Sequence, residues 1–405
     1  MVAGRLADPD DPGTVLLASG VRALRVAAIY GANASGKTNV VRALHYMAAA
    51  VAHSHRSWAP GDAVRTEPFR LSASAQLEPT SFDLHVFLDG TRYRYGFVIA
   101  PEGVLEEWLY AFPQGRQQTW YSRVRKSGKD EFKFGKNLGG ANQAIRALTR
   151  ENSLFLSAAA QNNHEQLTPI YKWFTERLAF VRGDRQHLAI NTARTSTNPE
   201  RHARLVKLLS TADLGIQGIS FEESDPDDKT RRAMEALSAV SGAKLAERLK
   251  VMRVLISHRS VDSESEVQFE IGDESAGTTA LLGLLGPALN VIENGGTLVV
   301  DELDASLHPL LALELVQLFG DNSRNPKNGQ LIFNTHDTNL LDRRFLRRDQ
   351  VWFCEKDRDG ATRIYPLSDF RPRKLENLER GYLQGRYGAV PFIGRLEVGG
   401  EESNP

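Results

Sequence analysis

Residues 31–38 read GANASGKT, and they stand between an apolar run, VAAIY, and a segment with helical spacing, TNVVRALHYMAAAVAHS. The pattern G-x-x-x-x-G-K-[ST] in that setting demands a chain that leaves a strand, turns tightly and enters a helix. Successive backbone N–H groups then face outward, and small residues leave room for a phosphate chain to approach them. The helix that starts near Lys37 adds the positive end of its dipole. Lys37 is placed to reach β and γ phosphates and Thr38 to ligate magnesium, with Gly31, Asn33, Ala34, Ser35, Gly36 and Asn39 completing the cradle. The competing reading is a chance match in a glycine-rich turn.

A phosphate-binding loop of this kind needs an acid at the end of another strand. Residues 297–304, TLVVDELD, supply one: Asp301 to hold magnesium through water, and Glu302 to position or deprotonate an attacking water. Alone, such a pair would read as acids capping a following helix. IFNTHD ends a further apolar run at His336, a residue type able to contact a γ phosphate. Residues 273–280, DESAGTTA, precede the helical run ALLGLLGPALNVI. Ser275 and Gly277 at that start form either a helix cap or a second anion site, and the two are compatible.

The rest of the chain sets limits. At 405 residues it is too long for one simple core. Lys plus Arg and Asp plus Glu number 50 each, so net charge points to no polyanionic partner, although local basic patches remain open. The single cysteine, Cys354, admits no internal disulfide and suits a reducing compartment. The first residues carry acids where a secretory leader would carry bases, and no apolar run approaches the roughly 20 residues of a membrane span. A cytoplasmic protein with no membrane partner is expected.

Alternation of apolar and polar residues on both sides of Asp89-Gly90 predicts an antiparallel meander over residues 81–125. Residues 141–250 show mostly helical spacing, broken at RGDRQ, TARTSTNPE and EESDPDDKT. DQVWFCEKDRDGATRIYPL reads as a hairpin, with Glu355, Asp357 and Asp359 in its turn, and the tail is expected to be irregular. The organisation expected is an α/β core split between residues 1–140 and 261–405, with a mainly helical insertion over 141–260.

The order of these motifs resembles the ABC-type ATPases of the SMC and RecF kind, and more closely the OLD-like bacterial ATPases of phage-defence and abortive-infection systems such as PARIS and Septu. The likeness lies in IYGANASGKTNVVRAL, DELDASLHPLL, FNTHDTNLL and GRYGAVPFI. It implies a mixed-sheet ATPase core with an antiparallel lobe, ATP and magnesium as ligands, and head-to-tail dimers or larger oligomers. By the resemblance, Ser275 and Gly277 contact nucleotide held by a second copy, Ser306, Leu307 and His308 cross between copies, and His336 is the switch histidine. A protein effector, such as a nuclease or toxin encoded nearby, is the implied partner. The chain departs from the pattern in three places. No coupling-loop glutamine is assignable, since EPFRL (67–71) has none; the strand that usually opens the domain is faint in residues 1–20; and only about 70 residues follow NTHD, too few for a whole metal-dependent nuclease domain. Basic clusters at 201–209, 342–349 and 370–386 leave nucleic acid open as a partner, as in RecF-like DNA processing, against the alternative of solvated helix faces.

Overall fold

The computed structural model describes residues 13–17, 20–196, 198–212, 215–226, 228–241, 251–263, 265–373 and 376–391. The early residues expected to be loosely ordered fall partly outside these, as does the end of the tail.

Strands β1 (Thr14–Leu16) and β2 (Arg22–Leu24) pair as a short antiparallel ribbon, and β3 (Val26–Tyr30) runs into α1 (Lys37–His53). A meander follows, of β4 (Thr80–Leu88), β5 (Thr91–Ala100), β6 (Gly103–Phe112), β7 (Gln118–Lys126) and β8 (Lys129–Phe134). Next come α2 (Asn142–Leu148), α3 (Phe155–Gln161), α4 (Thr168–Lys172), β9 (Leu178–Val181), α5 (Arg185–Thr195) and α6 (Pro199–Thr211). Strand β10 (Ile216–Ser224), α7 (Asp228–Ser241), β11 (Val251–Arg259) and β12 (Glu266–Glu270) precede α8 (Ala276–Asn294). The chain continues through β13 (Thr297–Val300), α9 (Pro309–Gly320), β14 (Gln330–Asn334), β15 (Val351–Lys356), β16 (Thr362–Pro366) and α10 (Leu378–Leu383).

The central sheet has the order β16-β15-β3-β14-β13-β9, parallel except for the edge strand β16. Its inner strands β3, β13 and β14 are apolar on both faces, as a sheet covered on both sides requires. Val26, Ala28 and Tyr30 of β3 face one core, while Ala27 and Ile29 face the other. The same alternation splits Leu298 and Val300 from Val299 in β13, and Leu331 and Phe333 from Ile332 in β14. One core is filled by α5, α6, α8 and α9, the other by α1, the meander and α3. This is the α/β architecture expected, a mixed sheet with an antiparallel lobe beside the loop of residues 31–38.

The meander extends from Thr80 to Phe134, one hairpin further than its alternation predicted. Its first turn is formed by Asp89 and Gly90, both at positive φ (48° and 76°), the geometry that a two-residue hairpin matched to strand twist requires. A buried carboxylate ties this lobe to the helices. Glu107 of β6 accepts from the Tyr95 and Tyr121 hydroxyls (3.1 and 2.8 Å) and from the backbone N–H groups of Phe155 and Leu156 (2.6 and 3.0 Å).

Residues 141–250 are mostly helical, and they also carry two strands that the sequence reading did not foresee. They include β9, an outer strand of the central sheet, and β10, which pairs with β11 and through it with β12. Strand β9 is LAFV, four apolar residues, too short for a period of two to be told from a turn of buried helix. The sequence reading also found no run long enough to span a membrane. Among the described residues α8 alone is long and apolar enough by length and composition, and most of it is buried in the core. The hairpin β15–β16 is formed as expected. In its turn Asp357 accepts from the N–H groups of Asp359 and Ala361 (3.1 and 2.9 Å), while Glu355 accepts from Ala389 N–H (2.9 Å). Among the described residues no group of three His, Cys, Asp or Glu could hold a metal ion.

Candidate functional site

Because β3, β9, β13 and β14 are parallel and in register, their C-terminal ends lie along one edge. In open α/β sheets that edge is where ligands bind. Each strand delivers one segment there. β3 delivers residues 31–38, β13 delivers Asp301 and Glu302, β14 delivers Asn334 to His336, and β9 delivers Arg182 and Arg185. A cavity of about 470 Å³ results, lined by Asn33, Ala34, Ser35, Gly36, Lys37, Thr38, Asn39, Glu302, Asn334 and His336.

The loop is held from beneath. The Ser35 carbonyl accepts from the Thr362 hydroxyl (3.0 Å) and from the Cys354 thiol (3.4 Å), both on the β15–β16 hairpin. These contacts add a second reason for the glycines. A Cβ at Gly31 would collide with the Cys354 carbonyl, and one at Gly36, which sits at φ 105°, would collide with the Thr362 hydroxyl. The glycines are therefore required by the protein's own packing as well. Gly36 caps α1 with no side-chain hydrogen bond, and the first turn of α1 carries no acid of its own; the carboxylate that meets it, Asp301, comes from the end of β13.

Lys37 is buried, and its ammonium donates to the carbonyls of Gly31 (2.8 Å) and Ala32 (3.1 Å). Burial pulls its pKa below the usual lysine value, against the pull of Cys354, Asp304, Glu302 and Asp301. The Thr38 hydroxyl donates to Asp301 Oδ1 at 3.1 Å, and Asn334 Nδ2 donates to the same oxygen at 2.6 Å. The other oxygen, Oδ2, lies 3.6 Å from Arg182 Nε. Glu302 is exposed to the cavity and adopts φ 57°. Its backbone N–H donates to Asn334 Oδ1 (2.6 Å), and its carbonyl accepts from Arg185 Nη2 (2.8 Å). The His336 N–H donates to Asp304 (3.2 Å). Burial, and after it the Lys37 ammonium, lowers the imidazole's pKa, with Asp304 and Glu302 opposing.

The structure thus brings Gly31, Asn33–Asn39, Asp301, Glu302 and His336 together. Ser275 and Gly277 do not line this cavity. Ser275 caps α8, accepting from Thr278 N–H at 3.1 Å. Gly277 lies against the Ser306 backbone, where an added Cβ would come within 3.3 Å of the Ser306 carbonyl. Sequence reasoning missed Asn334, Arg182 and Arg185. Asn334 lay inside a quoted motif, in the position just before the Thr-His pair. The two arginines lay in RGDRQ, which was read as a helix break although an apolar run ends directly before it.

The basic clusters carry internal partners. Arg344 pairs with Asp342 (2.6 Å) and Arg347 with Asp349 (2.9 Å), while Arg348 donates to the Pro372 carbonyl (2.8 Å). Arg386 pairs with Glu376 (2.7 Å), and Arg201 donates to the Gly286 carbonyl (3.0 Å).

Comparison with known proteins places these motifs. No curated protein matches the sequence. A solved Smc head bound to the C-winged helix domain of ScpA is similar at 13% identity and TM-score 0.37, covering 86% of this chain and 92% of that one. The Smc head domain from Pyrococcus furiosus with an extended coiled coil, bound to the C-terminal domain of ScpA, gives 11% identity and TM-score 0.34, covering 89% and 98%. The family described as "AAA domain, putative AbiEii toxin, Type IV TA system" matches residues 26–342. That span holds the phosphate-loop motif, the paired acids and His336, and the chain belongs to this AAA-domain family.

Proposed function

We propose that the protein is an ATP-binding and ATP-hydrolysing switch of the ABC type, in which two copies close head to tail over nucleotide and so control a partner protein. The observation that carries this reading is the convergence of Lys37, Thr38, Glu302 and His336 on one cavity, with Asp301 hydrogen-bonded to Thr38 beside it, from three parallel strands and the helix that follows the first. The Thr38 hydroxyl and the Asp301 carboxylate, 3.1 Å apart, form a hard oxygen set of the kind magnesium takes. They would hold that ion, whose contribution is to neutralise charge on the phosphate oxygens. Lys37 would exchange its two carbonyl partners for phosphate oxygens. The Glu302 carboxylate would accept a proton from water as the water oxygen bonds to the γ phosphorus. The bond from that phosphorus to the β–γ bridging oxygen breaks, and ADP leaves with the electron pair.

Association of two copies is supported by the placement of Ser275 and Gly277. They lie outside their own chain's cavity, with Ser275 exposed and Gly277 packed on Ser306 of the segment after Glu302. Nucleotide would complete a surface that neither copy completes alone. A partner-facing role fits the separate β10-β11-β12 sheet, where β12 exposes Val267 and Phe269. An effector such as a nuclease or toxin encoded nearby, acting in anti-phage defence, is the partner class proposed.

Turnover and mass test this together. The unchanged protein should release phosphate from ATP with magnesium, and Lys37→Ala and Glu302→Gln should abolish release. Glu302→Gln with ATP should double in solution mass. Equal turnover in all three proteins would remove the mechanism, and an unchanged mass would remove the two-copy switch.

A further inference from the structure

Arg185 is the first residue of α5, whose N-terminus is fixed by the Asp184 carboxylate accepting from the N–H groups of Gln186 (2.9 Å) and His187 (3.4 Å). Its guanidinium reaches across to the end of β13. There Nη2 donates to two consecutive carbonyls, those of Asp301 (3.2 Å) and Glu302 (2.8 Å). Nη1 is buried and has no hydrogen-bond partner among the described residues. The recipient is unusual. Glu302 lies at φ 57°, in the left-handed region that a residue with a side chain occupies only under constraint. Both polar groups of its backbone are held, the N–H by Asn334 and the carbonyl by Arg185.

We propose that Arg185 is a positioning residue that locks the Glu302 backbone in this conformation and so aims its carboxylate into the cavity. The proposal rests on the reading of Glu302 as the group that activates water. Arg185 is itself placed by α8. At Gly283 a Cβ would come within 2.9 Å of the Arg185 carbonyl and 3.2 Å of the Leu188 Cβ, so α8 approaches the first turn of α5 closely only because that position is glycine. The backbone from which the guanidinium extends is therefore packed against the helix that Ser275 caps. A planar guanidinium can serve two adjacent carbonyls while keeping its charge near the acids, whereas a lysine offers a single compact point of donation.

The test compares the full-length protein with Arg185→Met and Arg185→Lys. Four quantities are measured: steady-state ATP turnover, affinity for a fluorescent ATP analogue with magnesium, melting temperature, and hydrogen exchange of the peptide spanning residues 301–304 without nucleotide. Turnover should fall about 10- to 100-fold, the scale expected when a reacting group loses its alignment, with affinity unchanged within about threefold. The Glu302 amide should exchange faster in both variants. Unchanged turnover with unchanged exchange overturns the proposal. So does a fall in turnover, affinity and melting temperature together, which marks a general packing role. If the unmodified protein itself shows no turnover, the hydrolase reading fails, and the exchange comparison alone decides whether Arg185 holds Glu302.

Discussion

Thr38 and Asp301 stand 263 positions apart in the chain, yet the hydroxyl of one donates to the carboxylate of the other at 3.1 Å. The contact joins the start of α1 to the end of β13, and Asn334 closes the group by donating to the same carboxylate oxygen while accepting from the Glu302 N–H. Asp301→Asn keeps the shape but removes the charge and reverses one donor. Magnesium affinity in the presence of nucleotide should fall by about 10- to 100-fold. Titrating turnover against magnesium for both proteins measures this. An unchanged magnesium midpoint would mean that Asp301 serves only its protein partners.

The Glu107 carboxylate is fully buried and takes four donors, from Tyr95, Tyr121, Phe155 and Leu156. Arg123, also fully buried, approaches it to 4.0 Å and pairs more closely with Asp130, at 2.6 Å. Glu107→Ala leaves those donors without an acceptor and strips a buried cation of one neighbouring anion. The expected loss is about 3–5 kcal/mol, read as a drop in the urea midpoint. A loss below about 1 kcal/mol would show that the lobe is held by its apolar contacts alone.

His164 is buried with both ring nitrogens in use. Nε2 faces Asn142 Oδ1 at 3.0 Å, and Nδ1 accepts from Leu167 N–H at 3.3 Å. Asn142 Nδ2 donates to the carbonyls of Leu138 and Gly139 (3.1 and 3.0 Å), which leaves Oδ1 as the acceptor and fixes the neutral Nε2–H tautomer. Burial lowers the ring's pKa from 6.5. As pH falls below 6.5 the unfolded chain takes up a proton that the folded ring resists, so stability present above that pH is lost as pH falls towards the folded value. The urea midpoint should decline from about pH 7.5 to about pH 5.5, and His164→Asn should flatten the decline. Identical slopes would place the effect in other groups.

Helix α8 meets α5 through glycine. A Cβ at Gly286 would collide with the Thr192 side chain, whose Cβ lies only 2.7 Å away. Within a helix Gly→Ala is ordinarily stabilising by roughly 0.5–1 kcal/mol. Here Gly286→Ala should instead cost about 1–3 kcal/mol through overpacking, and Thr192→Ala should recover part of it. Thermal melts of the two single variants and the double variant give the coupling. A stabilised Gly286→Ala protein would show that the helices have room to separate.

What the sequence made legible was local. GANASGKT, TLVVDELD and FNTHD are short contiguous motifs whose flanking apolar runs announce strands, and the positive-φ pair Asp89-Gly90 announces its own hairpin. Arg182 and Arg185 were illegible for the opposite reason. Their relation to Asp301 exists only because β9 pairs with β13, Val181 beside Val300, and nothing local in LAFV announces that pairing. The glycines of the loop were read as space for a ligand, and Cys354 and Thr362 beneath them require the space as well. Those two residues come from a hairpin more than 300 positions later in the chain. Local motifs name the chemistry of a site, and long-range register decides which further residues join it.

The central claim is that a triphosphate binds against the loop of residues 31–38, and a crystal structure with a non-hydrolysable ATP analogue and magnesium tests it most directly. The account predicts that Lys37 Nζ leaves the Gly31 and Ala32 carbonyls for the β and γ phosphate oxygens, with the metal beside Thr38 and Asp301. Nucleotide bound elsewhere, with Lys37 still held by those two carbonyls, would contradict it.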